Sequence, residues 1–152
     1  MSDPISSSPT LSGFIAWTRS VMGIPTSAIA DGDVGYQIAF QIALDLVPLD
    51  LNIASTDIYT LTVYNWGGSQ LLQFQQDQPA QTFFADARAD FNINSFTAGV
   101  INSAADVSTS EAITVGKGLS NLQLIDLQRI KDPYGRQALA YMQSIGTLWG
   151  LT

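Results

Sequence analysis

The chain has 152 residues, of which 46% are hydrophobic and only 12% charged, and its net charge is −7. That is the size of one ordinary domain with enough apolar material for a core, and it excludes an intrinsically disordered chain, which needs low hydrophobicity and high charge. Six scattered cations and the absence of cysteine and histidine exclude a cation-lined nucleic-acid groove, a disulfide framework, thiol chemistry and histidine-based zinc or general-base sites.

The charged share is about half of that in an average protein. Oligomer interfaces are depleted of charge at their centres, so part of the surface is expected to face other subunits. The alternative is a monomer with a Gln-, Ser-, Thr- and Asn-rich surface. No apolar run reaches the roughly 18 residues of a membrane-spanning helix. The start Met1-Ser2-Asp3-Pro4 lacks the basic lead and apolar block of a signal peptide, so synthesis and use in the cytoplasm are expected.

In chain order, Ser8-Pro9 reads as a helix N-cap followed by proline at the first helical position. Leu11, Phe14, Ile15, Val21 and Met22 follow at helical spacing, and Gly23 and Pro25 stop that helix. Asp31 and Asp33 open a second helix, at the end where acids are favoured. Its expected buried stripe is Val34, Ile38, Ile42 and Leu46, with Ala39 and Ala43 beside it and Gln37, Gln41 and Asp45 opposite. Pro48 ends it. Ser55 caps a third helix, apolar nearly all round through Ile58, Tyr59, Leu61, Val63, Tyr64 and Trp66, which should therefore be central. Gly67-Gly68 either kinks that helix or divides it in two before Leu71, Leu72 and Phe74. Pro79 is placed to start a short helix carrying Phe83, Phe84, Ala87 and Phe91.

From residue 96 to 116 the chain is rich in Ser, Thr, Ala and Gly with Val and Ile spaced between, which reads as a β-hairpin or long loop that projects. After Gly116-Lys117-Gly118, the leucines at 119, 122, 124 and 127 with Ile125 suggest a short ordered return. Asp132-Pro133 is a second cap-plus-proline pair. It opens a final helix with Tyr134, Ala138, Tyr141, Met142 and Ile145 on one face. The expected fold is thus mainly α: one domain, a small helical bundle over about 9–95 and 119–146, an inserted hairpin at about 96–116 and an extended C-terminal arm at 147–152.

Motifs for chemistry are sparse. Gly116-Lys117-Gly118 fails as a phosphate loop because Glu111 stands where glycine is needed and Gly118 where Ser or Thr is needed. Asp31-Gly32-Asp33 begins like a calcium loop, but Ile42 stands in place of the bidentate glutamate. Asp86 and Asp90, four residues apart, share a helix face and could do acid–base work, or could be an ordinary solvated pair beside Arg88. No spacing supports a Ser–Lys dyad with Lys117 or Lys131. No catalytic residue, metal or cofactor is expected, and the chain reads as a non-enzyme. Trp17 and Trp66 fit core positions, whereas Trp149, beyond the Gly146 break, needs a pocket on its own domain or on a partner.

Three segments together resemble the head–tail adaptor (head-completion or connector) proteins of tailed phages. They are the buried helix at 56–66, the stretch Ala98-Gly99-Val100-Ile101-Asn102-Ser103-Ala104-Ala105-Asp106-Val107-Ser108, and Asp132-Pro133-Tyr134-Gly135-Arg136-Gln137-Ala138-Leu139. The likeness runs from about Asp31 to Ile145; the chain departs from it in a longer 120–131 stretch and an apolar 148–152 tail. The resemblance implies a virion neck protein that forms a ring of about twelve copies under the portal. The ring would join head to tail and let DNA pass through its bore without specific binding. It implies that the portal is held by Tyr141, Ile145, Leu148, Trp149 and Leu151, and that Val100, Ile101, Val107 and Ile113 on the hairpin touch a neighbouring subunit or a tail or neck protein. No membrane contact is expected. Another neck or tail-completion protein is the nearest alternative; a small carboxylate-based enzyme or ligand-binding domain is the more distant one.

Overall fold

The computed structural model describes residues 8–94, 103–106, 109–112 and 129–145. The chain is mainly helical. Helix α1 spans Leu11–Trp17 and continues into a wide π turn at Thr18–Met22. Helices α2 (Val34–Leu46), α3 (Asp50–Ala54), α4 (Thr56–Phe74) and α5 (Phe83–Asp90) follow, and helix α6 spans Pro133–Ser144. Strands β1 (Ser103–Asp106) and β2 (Thr109–Ala112) pair antiparallel, with Ser103 opposite Ala112 and Asp106 opposite Thr109. This ladder is confined to four residue pairs; the other residues of 96–116, where the sequence suggests an inserted hairpin, lie outside the described residues, and the projecting hairpin is not supported. The return at 119–128 and the arm at 147–152 also lie outside the described residues.

The helix starts follow local hydrogen bonding. At α1 the cap is Thr10 rather than Ser8. Thr10 is extended, its Oγ1 accepts the Gly13 N–H at 3.1 Å, and its own N–H donates to Tyr64 Oη at 3.2 Å. The long-range tyrosine bond fixes the cap two residues later than Ser8-Pro9 suggests. The π turn then shifts the register, so Met22 is buried and Val21 exposed. Gly23 ends the segment in the left-handed region (φ 69°), which glycine adopts without a Cβ penalty. Asp33 caps α2 through Gly35 N–H at 2.7 Å, Ser55 caps α4 through Ile58 N–H, and Asp132 caps α6 through Gly135 N–H. Helix α5 starts at Phe83, not at Pro79, because Asp77 accepts the N–H groups of Phe84 and Ala85 at 2.8 and 2.9 Å. Pro79 and Ala80 form the turn before it.

Helix α4 is the axis of the bundle, and it passes through Gly67-Gly68 without a break. Both glycines are buried contact points. A Cβ on Gly67 would lie 2.8 Å from the Phe14 ring, and one on Gly68 would lie 2.7 Å from Met22 Sδ. The pair lets α1 and α2 approach the α4 backbone closely, since interhelical distance is set by the side chains at the contact. Phe14 anchors that approach, with the rings of Tyr36, Phe40 and Tyr64 at 5.8–6.0 Å.

Helix α2 turns a different face inward from the one its hydrophobic period suggests. Gly35, Tyr36, Ala39 and Ala43 are buried, and Phe40 and Leu44 pack against the core. Val34, Ile38 and Leu46 of the expected stripe are exposed, and Ile42 is half-buried. The inner face pairs small residues with aromatic ones: the Ala39 carbonyl lies 3.5 Å from where a Gly67 Cβ would stand, while Tyr36 and Phe40 pack on Phe14.

Gly67 and Ser69 are two residues apart, about 200° around the helix, so they point to opposite sides. Gly67 meets Phe14 and the Ala39 carbonyl, while Ser69 meets Asp132 at the start of α6. Helices α2 and α6 therefore flank α4 on opposite sides.

Candidate functional site

Arg19 and Arg88 hold loop and helix ends together. Arg19 donates to the Ile24 and Ile29 carbonyls at 3.0 and 2.6 Å, pairs with Asp31 Oδ1 at 2.5 Å and lies over the Tyr36 ring. That set of contacts holds the 23–33 loop, and it accounts for Asp31 without a metal. Among the described residues no group of acids is placed to hold a metal ion. Arg88 donates to the Leu72 and Gln75 carbonyls at 3.2 and 2.7 Å, satisfying the C-terminal end of α4.

The start of α6 is held by a buried network. Ser69 Oγ donates to Asp132 Oδ2 at 2.7 Å, and Arg129 Nη1 donates to Ser69 Oγ at 3.0 Å. The Arg129 guanidinium lies 4.7 Å from the centre of the Trp66 ring. Asp132 Oδ1 accepts the Gly135 N–H at 2.7 Å. Burial holds the Asp132 carboxyl above its ordinary range, against the opposite pull of Gly135 N–H, Ser69 and Arg129. Gly135 has no room for a side chain, because a Cβ would stand 2.2 Å from the Arg129 carbonyl oxygen. The Asp-Pro-Tyr-Gly sequence thus has a physical reason: cap, helix start and a close crossing over Arg129.

Asp86 and Asp90 line an open cleft of about 260 Å³ with Met22, Leu72, Phe83, Ala87, Phe91 and Tyr134. Asp86 Oδ2 accepts from Thr82 Oγ1 at 2.8 Å, and both carboxylates are exposed.

The feature that sequence reading missed is a set of exposed large apolar side chains on α2, α3 and the turn between them. Val34 is 62% exposed, Ile38 45%, Leu46 45%, Leu49 69% and Ile53 86%. Burying one such side chain contributes about 1.5–3 kcal/mol, so leaving five at the surface forgoes several kcal/mol unless another surface covers them. The signal was present in the small residues Gly35, Ala39 and Ala43, which show that α2 approaches its neighbour closely on a face other than the Val34–Leu46 stripe.

Of the residues expected to hold the portal, Tyr141 is half-buried on α6, and Ile145, just past its end, packs against the core. Leu148, Trp149 and Leu151 lie outside the described residues, as do the hairpin residues Val100, Ile101, Val107 and Ile113. Among the described residues no helix is long and apolar enough to cross a membrane. Comparison with protein-family models, curated proteins and solved structures finds no match.

Proposed function

We propose that this chain is a structural subunit of a larger assembly, and specifically a head–tail adaptor of a tailed phage that rings the base of the portal. The observation that carries the first step is the exposed set Val34, Ile38, Leu46, Leu49 and Ile53, which a small domain keeps at its surface for another surface to cover. The second step rests on the resemblance in the 56–66 helix, the 98–108 stretch and the Asp132–Leu139 segment.

In this reading the 96–116 segment projects as a hairpin toward a neighbour or tail component. The arm beyond Ile145, with Leu148, Trp149 and Leu151, enters a cleft of the portal, and Tyr141 and Ile145 sit at its root. Buried aromatics dominate such contacts, and repetition around a ring multiplies a modest contact into firm attachment. The cation positions agree with a bore through which DNA slides. Among the described residues Arg19, Arg88, Arg129 and Lys131 are each engaged within the chain and Arg136 is exposed, while the surface of α2 and α3 carries the exposed acids Asp45 and Asp50.

The test is co-purification of the full chain, and of the chain cut after Ile145, with the portal of the phage that encodes it, followed by electron microscopy. A ring on the portal with the full chain and none with the cut chain supports the adaptor reading and the arm. If neither form decorates the portal but the full chain joins a tail component, the protein is a neck or tail-completion part instead.

A further inference from the structure

Helix α6 meets α4 through a face that attracts it without fixing its place. The buried residues of that face are Gly135, Ala138, Leu139 and Met142. Glycine and alanine offer little relief, and a methionine side chain fills gaps of many shapes. These residues recur every three or four positions, so a shift by one helical turn, about 5.4 Å, still leaves an apolar face against α4. Steps of three and four from Ser69 along α4 reach Thr62, Asn65, Trp66 and Leu72, all of them buried. Thr62 Oγ1 and Asn65 Nδ2 donate to the Ile58 and Leu61 carbonyls of their own helix, at 2.6 and 2.8 Å. Those bonds travel with α4 and are indifferent to where α6 lies.

The bonds at the start of α6 are made across the contact. Ser69 Oγ accepts from Arg129 Nη1 at 3.0 Å and donates to Asp132 Oδ2 at 2.7 Å. All three side chains are buried, with Arg129 only 1% exposed. A shift of α6 by one turn would carry Asp132 about 5.4 Å along α4, out of hydrogen-bonding reach of Ser69. The buried carboxyl would lose that partner, and burying a charged group without its partners is costly.

We infer that the Ser69–Arg129–Asp132 network is a register pin. It selects one position of α6 along α4 more than it strengthens the fold. Single buried polar groups act in this way in coiled coils, where they specify register at a cost in stability. Ile145 lies just past the end of α6, so the pin also fixes where the chain beyond it leaves the domain. The inference concerns the fold alone, and it stands or falls separately from the adaptor reading.

Ser69→Ala, Arg129→Met and Asp132→Ser together remove the network. Serine keeps an oxygen for the helix cap, and methionine keeps an unbranched chain beside Trp66. Ser69→Ala alone leaves Asp132 and Arg129 buried without the hydroxyl between them. A half-satisfied buried network is worse than an apolar replacement, so the triple variant should melt cooperatively and at a higher temperature than Ser69→Ala. Register is read by spin labels on Asp57→Cys in α4 and Gln143→Cys in α6, exposed positions in a chain without cysteine. The parent should give one narrow distance distribution. In the triple variant it should broaden or move by up to about 5 Å, one turn of rise. A control pair, Asp57→Cys with Gln37→Cys on α2, should stay narrow in both.

A triple variant that stays folded with the parent's distance overturns the inference, because apolar packing then suffices to place α6. Broadening of the control pair as well overturns it, because the whole bundle has then loosened. So does a triple variant that melts below Ser69→Ala or loses its cooperative transition, because the network then holds the fold together and does not choose its register.

Discussion

Replacing Gly135 with alanine sets a methyl group 2.2 Å from the Arg129 carbonyl oxygen and 2.9 Å from its carbonyl carbon. Those atoms are backbone, so no side-chain rotation relieves the clash. Either the first turn of α6 or the residue it crosses has to move. Overpacking of this kind costs about 1–3 kcal/mol. Moving Asp132 or Arg129 strains the buried bonds that join both to Ser69, and a buried polar group left unsatisfied costs about 1–3 kcal/mol. Alanine returns up to about 1 kcal/mol through its better helix propensity. The net expectation is a loss of about 2–4 kcal/mol, which for a chain of this length lowers the melting temperature by about 5–15 °C. Urea titration followed by circular dichroism measures it, with Gly32→Ala as the control, since a Cβ there meets nothing within 4 Å. If Gly135→Ala proves neutral, or gains the increment that propensity alone provides, α6 does not cross Arg129 as described and the account of the Tyr134-Gly135 pair is wrong.

Four further outcomes follow from the structure. Phe14→Ala removes a fully buried ring and should cost about 3–5 kcal/mol. Gly67→Ala alone should also destabilise, but less so in the Phe14→Ala background, because the ring it would strike is gone; a double-mutant cycle in urea reads that coupling. The Asp132 carboxyl, raised in the folded state, binds its proton more tightly there than in the unfolded chain. Its contribution is therefore fully present below the ordinary carboxylate range and is lost as pH rises through the higher folded value. Subtracting the pH-dependence of Asp132→Asn stability from that of the parent should leave a component that declines with pH over that window, and a rising one would contradict the assignment. Replacing Asp86 and Asp90 together with asparagine, at exposed positions, should change stability by no more than about 0.5 kcal/mol and leave any self-association of the chain unchanged. A loss of assembly would move the functional surface to that cleft.

Local structure was legible wherever a short-range signal decides it. Asp33, Ser55 and Asp132 cap their helices because a short polar side chain reaches an N–H two or three residues on. Pro48 ends α2 because the residue before a proline is pushed out of the helical region. The mainly helical class and the central place of the 56–66 segment follow from hydrophobic period and composition. Only tertiary structure decided which face of α2 turns inward: Val34, Ile38, Ile42 and Leu46 make the better amphipathic stripe, but Tyr36, Ala39 and Phe40 are the residues that meet Phe14 and Gly67. The same holds for Gly67-Gly68, where a pair that breaks an isolated helix is the contact point of a continuous one. The Ser69–Arg129–Asp132 network and the Thr10–Tyr64 bond join residues 54 to 63 positions apart. Periodicity over one helix carries no information about partners at that distance, so these contacts, and with them the apolar side chains left outside, appear only once the chain is folded.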